Sequence, residues 1–145
     1  DLISQSENVD ILLEKEKDFG LNSLKIYVNL QSYAERAKNN LLEFLLDLKA
    51  NKKIILGYGA AAKGNTLLNY AGVKKDLIPM IADRAISKQS KYMPGSHIPI
   101  VSTEKIKSLK KDYLLILPWN LIKEIQSQFS QQKLVTAIPK IKIWN

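Results

Sequence analysis

The feature of this sequence that most constrains its fold is an alternation of short apolar segments with helical patterns after Asn51. The apolar segments are KIILGY (53–58), LIPMIAD (77–83), HIPIV (97–101), DYLLILP (112–118) and LVTAIP (134–139). Between them the spacing predicts helices over about 61–71, 103–109 and 120–132. Continuous apolar strands that alternate with helices are typical of a parallel sheet covered on both faces. The sequence therefore predicts a doubly wound α/β domain whose mostly parallel sheet has about five strands.

The first fifty residues have a different pattern. The stretch ENVDILLEKEKDFG predicts a short helix that ends at Gly20. Apolar side chains then recur at helical spacing, which predicts one long helix, or two separated by a bend, from about Ser23 to about Ala50. We therefore expect an N-terminal helical segment, 1–50, that packs on an α/β domain, 51–145.

The distribution of charge favours anionic partners. Residues 51–145 contain sixteen Lys and Arg against five Asp and Glu, within a net charge of +8 for the chain. Such a surface suits phosphorylated metabolites, acidic proteins or nucleic acid, or it is a solvated lysine surface without a partner. The lysines follow no single helix face and no RNA-binding signature occurs, so we expect no nucleic-acid partner.

Cysteine content and segment lengths limit the chemistry and the location. The sequence has no cysteine, which excludes disulfides, thiolate metal sites and a cysteine nucleophile. No apolar run approaches the roughly 20 residues that cross a bilayer, and the N-terminus has no signal-peptide pattern. We expect a cytoplasmic protein without a membrane partner. The start at Asp1 suggests a processed product or a piece of a longer protein.

A glycine turn follows the first predicted strand. Its sequence GYGAAAKG fits G-x-G-x-x-A through Gly57, Gly59 and Ala62, where small residues permit a tight turn and close packing of a helix on the strand. This is how Rossmann-like folds begin, and the helix start offers amides to an anion. Lys63 adds a cation. A P-loop is excluded, because Gly64 is not followed by Lys and Ser or Thr.

Further candidate residues follow the other strands. Asp83 comes 24 residues after Gly59, where an acid grips a ribose in dinucleotide folds, and it could instead cap the next turn. Trp119 and Asn120 follow the fourth strand and offer a stacking face and an amide, although core packing and a helix N-cap explain them too. A first strand between the second and the fourth would place the glycine turn beside these two residues.

The long loop after Asp83, residues 84–97, is basic and contains the single histidine. Loops of this length in compact domains are usually functional or mobile. We expect this one to clamp a diphosphate, and its candidate residues are Arg84, Lys88, Lys91, Tyr92 and His97. His97 is a candidate acid or base without an assignable partner. The sequence otherwise contains no nucleophile elbow, metal cluster or acid–base pair.

Three segments together resemble one family. GYGAAAKGNTLLNYAG, ADRAISKQSKYMPGSHIPI and DYLLILPWNLIKEI resemble the C-terminal domain of the nucleotide-sugar C-methyltransferases, which place a methyl group on a carbon of a nucleotide-linked keto-deoxysugar. The resemblance covers nearly the whole chain. One departure is Ser90, which stands where the family usually has glycine after the Lys-Gln pair.

The resemblance implies one part of a three-part enzyme. The family has a zinc-binding N-terminal segment, a central S-adenosylmethionine domain and a Rossmann-like C-terminal domain that helps to hold the nucleotide sugar. It implies that zinc, S-adenosylmethionine and the acid–base histidine belong to upstream parts, so this chain alone has no cofactor and is not catalytic. The expected partners are a dTDP-linked sugar and the upstream domains. The expected substrate-binding residues are Gly57, Tyr58, Gly59, Lys63, Asp83, Lys88, Tyr92, His97, Trp119 and Asn120.

Two other functions fit parts of the sequence. An NAD(P)-binding domain of an oxidoreductase fits the glycine turn and Asp83, although no hydride-transfer residues are evident. A non-catalytic interaction domain would use the N-terminal helices to contact other domains or a second copy.

Overall fold

The computed structural model describes residues 6–145, which divide into two compact units with the boundary between Arg36 and Ala37. The first five residues of the predicted N-terminal segment lie outside the described residues. The predicted domain boundary at residue 50, and the packing of the whole segment 1–50, stay predictions. Within residues 6–145, no helix combines the length and the apolar character that crossing a membrane requires.

The first unit is helical, and the last of its helices continues into the second unit. Helix α1 is Glu7–Phe19 and ends at Gly20, whose φ of +84° is left-handed, as predicted for a glycine stop. Helix α2 is Leu24–Val28, and helix α3, Leu30–Ala50, follows after a break at Asn29. The predicted bend in the long helix is thus at Asn29. Neither α1 nor α2 buries a residue.

The second unit is an α/β domain, as predicted. Its strands are β1 (Ile55–Tyr58), β2 (Ile81–Ala82), β3 (Ile100–Val101), β4 (Tyr113–Ile116), β5 (Leu134–Thr136) and β6 (Lys142–Trp144). Its helices after α3 are α4 (Ala62–Tyr70), α5 (Thr103–Ser108) and α6 (Ile122–Gln128), with short 3₁₀ turns at Ile86–Lys88 and Trp119–Leu121. The sheet order is β3-β2-β1-β4-β5-β6, and all pairs are parallel except β5 with β6.

The sixth strand was not predicted. It is three residues long, and its Lys142 and Ile143 are exposed, so it lacks the continuous apolar pattern of the buried strands. It pairs antiparallel with β5 at the edge of the sheet. An antiparallel edge strand on an otherwise parallel sheet is common in doubly wound folds.

The sheet is covered on both faces. One face packs against α3 and α4 through a core that includes Leu41, Leu45 and Leu68, which are at most 1% exposed. The other face packs against α5 and α6 through residues such as Ile106 and Phe129. Neighbouring strand residues alternate between the two cores, because successive side chains in a strand point to opposite faces. This arrangement brings the carboxyl ends of β1, β2 and β4 together where the strand order reverses.

Candidate functional site

The glycine turn and the turn after β4 lie side by side at the reversal of strand order, as predicted. Gly59 has a φ of +88°, and a Cβ atom there would overlap the ring of Pro118, with Cγ only 2.7 Å away. A Cβ atom on Gly57 would lie 2.6 Å from Cγ1 of Ile81. Close approach of backbone to neighbouring side chains therefore requires glycine at both positions.

The third small residue of the turn is Gly64 rather than Ala62. Ala62 is exposed, whereas Gly64 is buried, and a Cβ atom on Gly64 would lie 2.6 Å from Cβ of Leu117. The prediction that Ala62 permits close packing of α4 is therefore wrong. Helix α4 begins at Ala62, so the G-x-G-x-x-A register places its last residue on the solvent side of the first turn.

The N-terminus of α4 is uncapped. Its N-cap residue is Ala61, which makes no side-chain cap hydrogen bond. Asn65 is the first residue of the helix whose amide makes a helical hydrogen bond, and it donates to the carbonyl of Ala61 at 2.9 Å. In residues 6–145 the amides of residues 62–64 donate to no protein group. Free amides at the positive end of a nine-residue helix favour an anion.

Asp83 clamps the glycine turn to the long loop. Its Oδ2 accepts from the amide of Ala60 at 2.7 Å and from Nζ of Lys88 at 3.2 Å, and its Oδ1 accepts from the amide of Ala85 at 2.8 Å. Lys88 Nζ also donates to the carbonyl of Ala60 at 2.9 Å. The side chain of Asp83 is 12% exposed. Its carboxylate thus caps the following turn, one of the two roles that the sequence indicates, and faces protein donors.

A cavity of about 390 Å³ lies between the start of α4 and the long loop. Its walls are Ala60, Ala61, Ala62, Asn65, Ser87, Lys88, Lys91, Tyr92, Met93, Pro94 and Ile100. Lys91 and Tyr92 are exposed, and Tyr92 is 63% accessible, so a ligand could reach both. The cavity wall therefore combines Ala62, the first residue of α4, with two lysines and an aromatic ring.

The far part of the long loop is tied to α4. Asn69 donates from Nδ2 to the carbonyl of Pro94 at 2.9 Å and to that of Asn65 at 3.0 Å. Gly95 has a φ of +80°, and a Cβ atom there would overlap the side chain of Asn69. Ser90 has a φ of +62°, which explains why glycine suits this position in the family that the sequence resembles. The beginning of the loop is thus held to the glycine turn, and its far part is held to α4.

Lys63 connects the glycine turn to the residues after β4. Its Nζ donates to Oδ1 of Asn120 and lies 4.9 Å from the ring centroid of Trp119, within cation–π range. Trp119 is partly exposed and Asn120 is exposed, so both stay accessible. The alternative role of Asn120 as the N-cap of α6 is wrong, since Leu121 occupies that position.

Of the ten predicted substrate-binding residues, Lys88 and Tyr92 line the cavity and the other eight do not, among them Tyr58 and His97. Tyr58 is 5% exposed and packs edge-to-face on Phe129, with ring centroids 5.1 Å apart, in the core under α5 and α6. Burial raises the pKa of its hydroxyl, and the charge of Arg84 partly opposes that rise. His97 is exposed in a left-handed turn with a φ of +55° and does not line the cavity. Neither side chain joins the cavity wall.

Asn65 is a cavity residue that the sequence did not single out. It lines the cavity one turn after the start of α4, and its Oδ1 is buried without a hydrogen-bond partner. An asparagine in a helix carries no sequence signal for this, because burial and pairing depend on the packed loop. Within residues 6–145 no three His, Asp or Glu side chains form a group that could hold a metal ion.

The comparisons with known proteins agree with one another. Residues 3–139 match a family described as the C-methyltransferase C-terminal domain. Among curated proteins, C-methyltransferase NovU of Streptomyces niveus is 31% identical over an alignment of 137 residues, and the alignment covers 91% of this chain and 33% of that protein. The chain thus spans about a third of the length of this curated relative.

Proposed function

Because this chain belongs to the family of C-methyltransferase C-terminal domains, we propose that it binds the nucleotide-sugar substrate of an S-adenosylmethionine-dependent sugar C-methyltransferase. The observation that carries this proposal is the cavity of about 390 Å³ at the uncapped start of α4. Sites of about 300–1,000 Å³ are usual for small ligands, and ligands of doubly wound folds bind at this edge of the sheet.

The diphosphate is the part of the ligand that the cavity best accommodates. The amides of residues 62–64 have no protein acceptor, and the helix end adds partial positive charge. Lys91 supplies an exposed cation on the opposite wall. Lys88 is less available to a ligand, because its ammonium group already forms an ion pair with Asp83. We assign the diphosphate to the amides and Lys91, with Lys88 keeping the Asp83 carboxylate from repelling it.

Aromatic rings lie on both sides of this anion site. Tyr92 forms part of the cavity wall, and Trp119 lies beyond Lys63 on the side of β4. Exposed aromatic faces bind flat or apolar surfaces of bases and sugars. We propose that the two ends of a dTDP-linked sugar extend toward these two rings.

S-adenosylmethionine, zinc and the catalytic acid–base residue are proposed for other parts of the polypeptide. The sequence has no cysteine and residues 6–145 have no metal-ligand cluster, so this domain does not fit a structural zinc ion. Asp83, which could grip an adenosine ribose, is held by protein donors. This chain would then bind substrate in the cytoplasm and leave methyl transfer to its partner domains.

The N-terminal helices supply a surface for those partner domains. Helices α1 and α2 bury no residue, and their large apolar side chains are exposed, including Phe19 at 71%, Leu24 at 83% and Val28 at 78%. Exposed apolar patches of this kind mark interaction sites. Since the family is a C-terminal domain and the relative is about three times longer, we propose the preceding part of the same polypeptide as the occupant. Sedimentation of the 145-residue chain, and of a polypeptide that also contains the preceding part, tests this proposal. Dimers of the 145-residue chain that also form in the longer polypeptide would contradict it, because the apolar surface would then bind a second copy.

Isothermal titration calorimetry tests nucleotide binding directly. The 145-residue chain should bind dTDP and a dTDP-sugar, and Lys91→Ala should weaken both about fivefold, or about 1 kcal/mol. Lys74→Ala, a change at an exposed lysine that does not line the cavity, serves as the matched control and should leave the affinity unchanged. No heat of binding at millimolar ligand would overturn the claim that this domain holds the nucleotide by itself.

A dinucleotide-binding domain is the competing function. It requires the acid after β2 to receive ribose hydroxyls, whereas the Asp83 carboxylate accepts from Ala60, Ala85 and Lys88. We expect NADH fluorescence to be unchanged when the chain is added. A saturable shift that dTDP does not displace would favour the oxidoreductase instead.

A further inference from the structure

The side chain of Asn65 is a polar group in the cavity wall that makes no hydrogen bond within the described residues. Its backbone is satisfied, because its amide donates to Ala61 and its carbonyl accepts from Asn69. Its carboxamide makes no hydrogen bond to any of residues 6–145, and Oδ1 is fully buried. A buried polar atom without a partner costs free energy, and such groups are rare enough in native proteins to require an explanation.

Neighbouring polar side chains of α4 behave differently. Thr66 donates to the carbonyl of Ala62 at 3.2 Å, and Asn69 donates to two carbonyls. Both side chains are therefore paired with the backbone. Asparagine also has a lower helix propensity than alanine, so position 65 carries two unfavourable features in one short helix. Local rules are most often broken in this way at functional sites.

We propose that the Asn65 carboxamide recognises the part of the ligand beyond its phosphates. It would form hydrogen bonds to a donor or an acceptor on the ligand. This inference rests on the proposed function. A carboxamide offers a donor and an acceptor side by side, and a half-turn about its last side-chain bond exchanges them. The ligand groups that match are the imide edge of a pyrimidine base and neighbouring hydroxyls of the hexose.

The position of Asn65 suits this role. It lines the same cavity as Ala61 and Ala62, whose turn supplies the free amides, and as Tyr92 on the loop. A phosphate held at the helix start therefore leaves the attached nucleoside or hexose along the wall that contains Asn65. Because Oδ1 is buried, the ligand meets the other end of the carboxamide, Nδ2 or the atom that rotation puts in its place, and this end is paired only when the correct ligand is bound, which makes it a source of specificity.

Calorimetry with three probes tests the proposal on the 145-residue chain. Asn65→Leu should weaken dTDP-glucose about tenfold, or about 1.4 kcal/mol, and leave pyrophosphate unchanged. If dTDP weakens equally, the contact is with the nucleoside; if dTDP is unchanged, it is with the hexose. Thr66→Ala, the adjacent exposed change on α4, should alter none of the three affinities.

The remaining outcomes overturn a claim. Unchanged affinity of Asn65→Leu for both nucleotides overturns this proposal alone, while absence of all binding by the natural sequence removes the proposed function as well. An equal loss for pyrophosphate would show that Asn65 supports the turn instead. Asn65→Ala provides a second readout, because its unfolding midpoint in urea should equal or exceed that of the natural sequence. A clear drop in that midpoint would mean that the carboxamide is structural.

Discussion

Replacement of Gly64 by alanine tests how the N-terminal end of α4 is positioned. A Cβ atom at residue 64 would lie 2.6 Å from Cβ, 3.1 Å from Cγ and 3.2 Å from Cδ1 of Leu117. Carbon atoms pack best at about 3.5–4.0 Å, so α4 and the end of β4 would have to separate by about 0.9 Å. The nearest atom is a Cβ, which is fixed to the backbone. Rotation of the leucine side chain therefore cannot relieve the contact.

Two terms of opposite sign decide the effect on stability. Alanine gains about 1 kcal/mol over glycine inside a helix. Overpacking of a closely packed core costs about 1–3 kcal/mol, and Leu117 is 1% exposed, so its surroundings cannot yield freely. We expect Gly64→Ala to lower the free energy of unfolding by about 1 kcal/mol. Thr66→Ala, an exposed change in the same helix, isolates the propensity term and should raise it by about 0.5 kcal/mol.

Urea unfolding followed by far-ultraviolet circular dichroism measures both variants. The same samples provide an affinity for pyrophosphate, which should fall for Gly64→Ala because the amides of residues 62–64 move with the helix. A hydrogen bond weakens steeply when its geometry shifts by about 0.9 Å. The reasoning is refuted if Gly64→Ala stabilises the chain as Thr66→Ala does, with an unchanged m-value.

Three further changes have defined outcomes. Ser90→Gly should raise the free energy of unfolding by about 0.5–1 kcal/mol, because residue 90 has a φ of +62°, and no gain in urea would contradict the strain. Burial raises the pKa of Tyr58 above its ordinary 10.0. The stability that the neutral hydroxyl provides is therefore complete below pH 10.0 and is lost as the pH rises through the folded pKa. Tyr58→Phe should therefore show a smaller loss of stability than the natural sequence between about pH 9 and about pH 11. The amide of Ile54 lowers the pKa of Asp112 below its ordinary 3.8, so the stability that Asp112 provides is present above that pH and is lost as the pH falls through the folded pKa. The stability difference from Asp112→Asn should shrink in acid, and a difference that persists at about pH 2 would contradict this assignment.

The location of the candidate site could be predicted because it depends on topology. Apolar segments that alternate with helices predict parallel strands, and the carboxyl ends of parallel strands share one edge. From this, the glycine turn and Trp119 were expected side by side, and Lys63 joins them in the structure. Gly57 and Gly59 were likewise expected to allow close approach, and both do so.

The internal pairing of the site was not predictable because it depends on contacts distant in sequence. Whether Asp83 faces a ribose or the protein depends on where Ala60 and Lys88 lie after folding. The choice between Ala62 and Gly64 depends on where α4 begins, and one residue of helix register changes which side chain meets the sheet. That Oδ1 of Asn65 is buried and unpaired depends on how the folded chain packs around α4. The short strand β6 depends on its partner β5 rather than on its own composition.

The long loop and helix α4 also constrain how this domain can be re-engineered or diversified. Asp83 and Lys88 fix the beginning of the loop to the glycine turn, and Asn69 fixes Pro94 and Gly95 to the helix. A loop transplanted from a relative would keep its shape only if the matching helix positions moved with it. Any ligand preference of this domain should therefore change when the whole segment from the glycine turn through the end of the loop is replaced together, rather than through independent point substitutions.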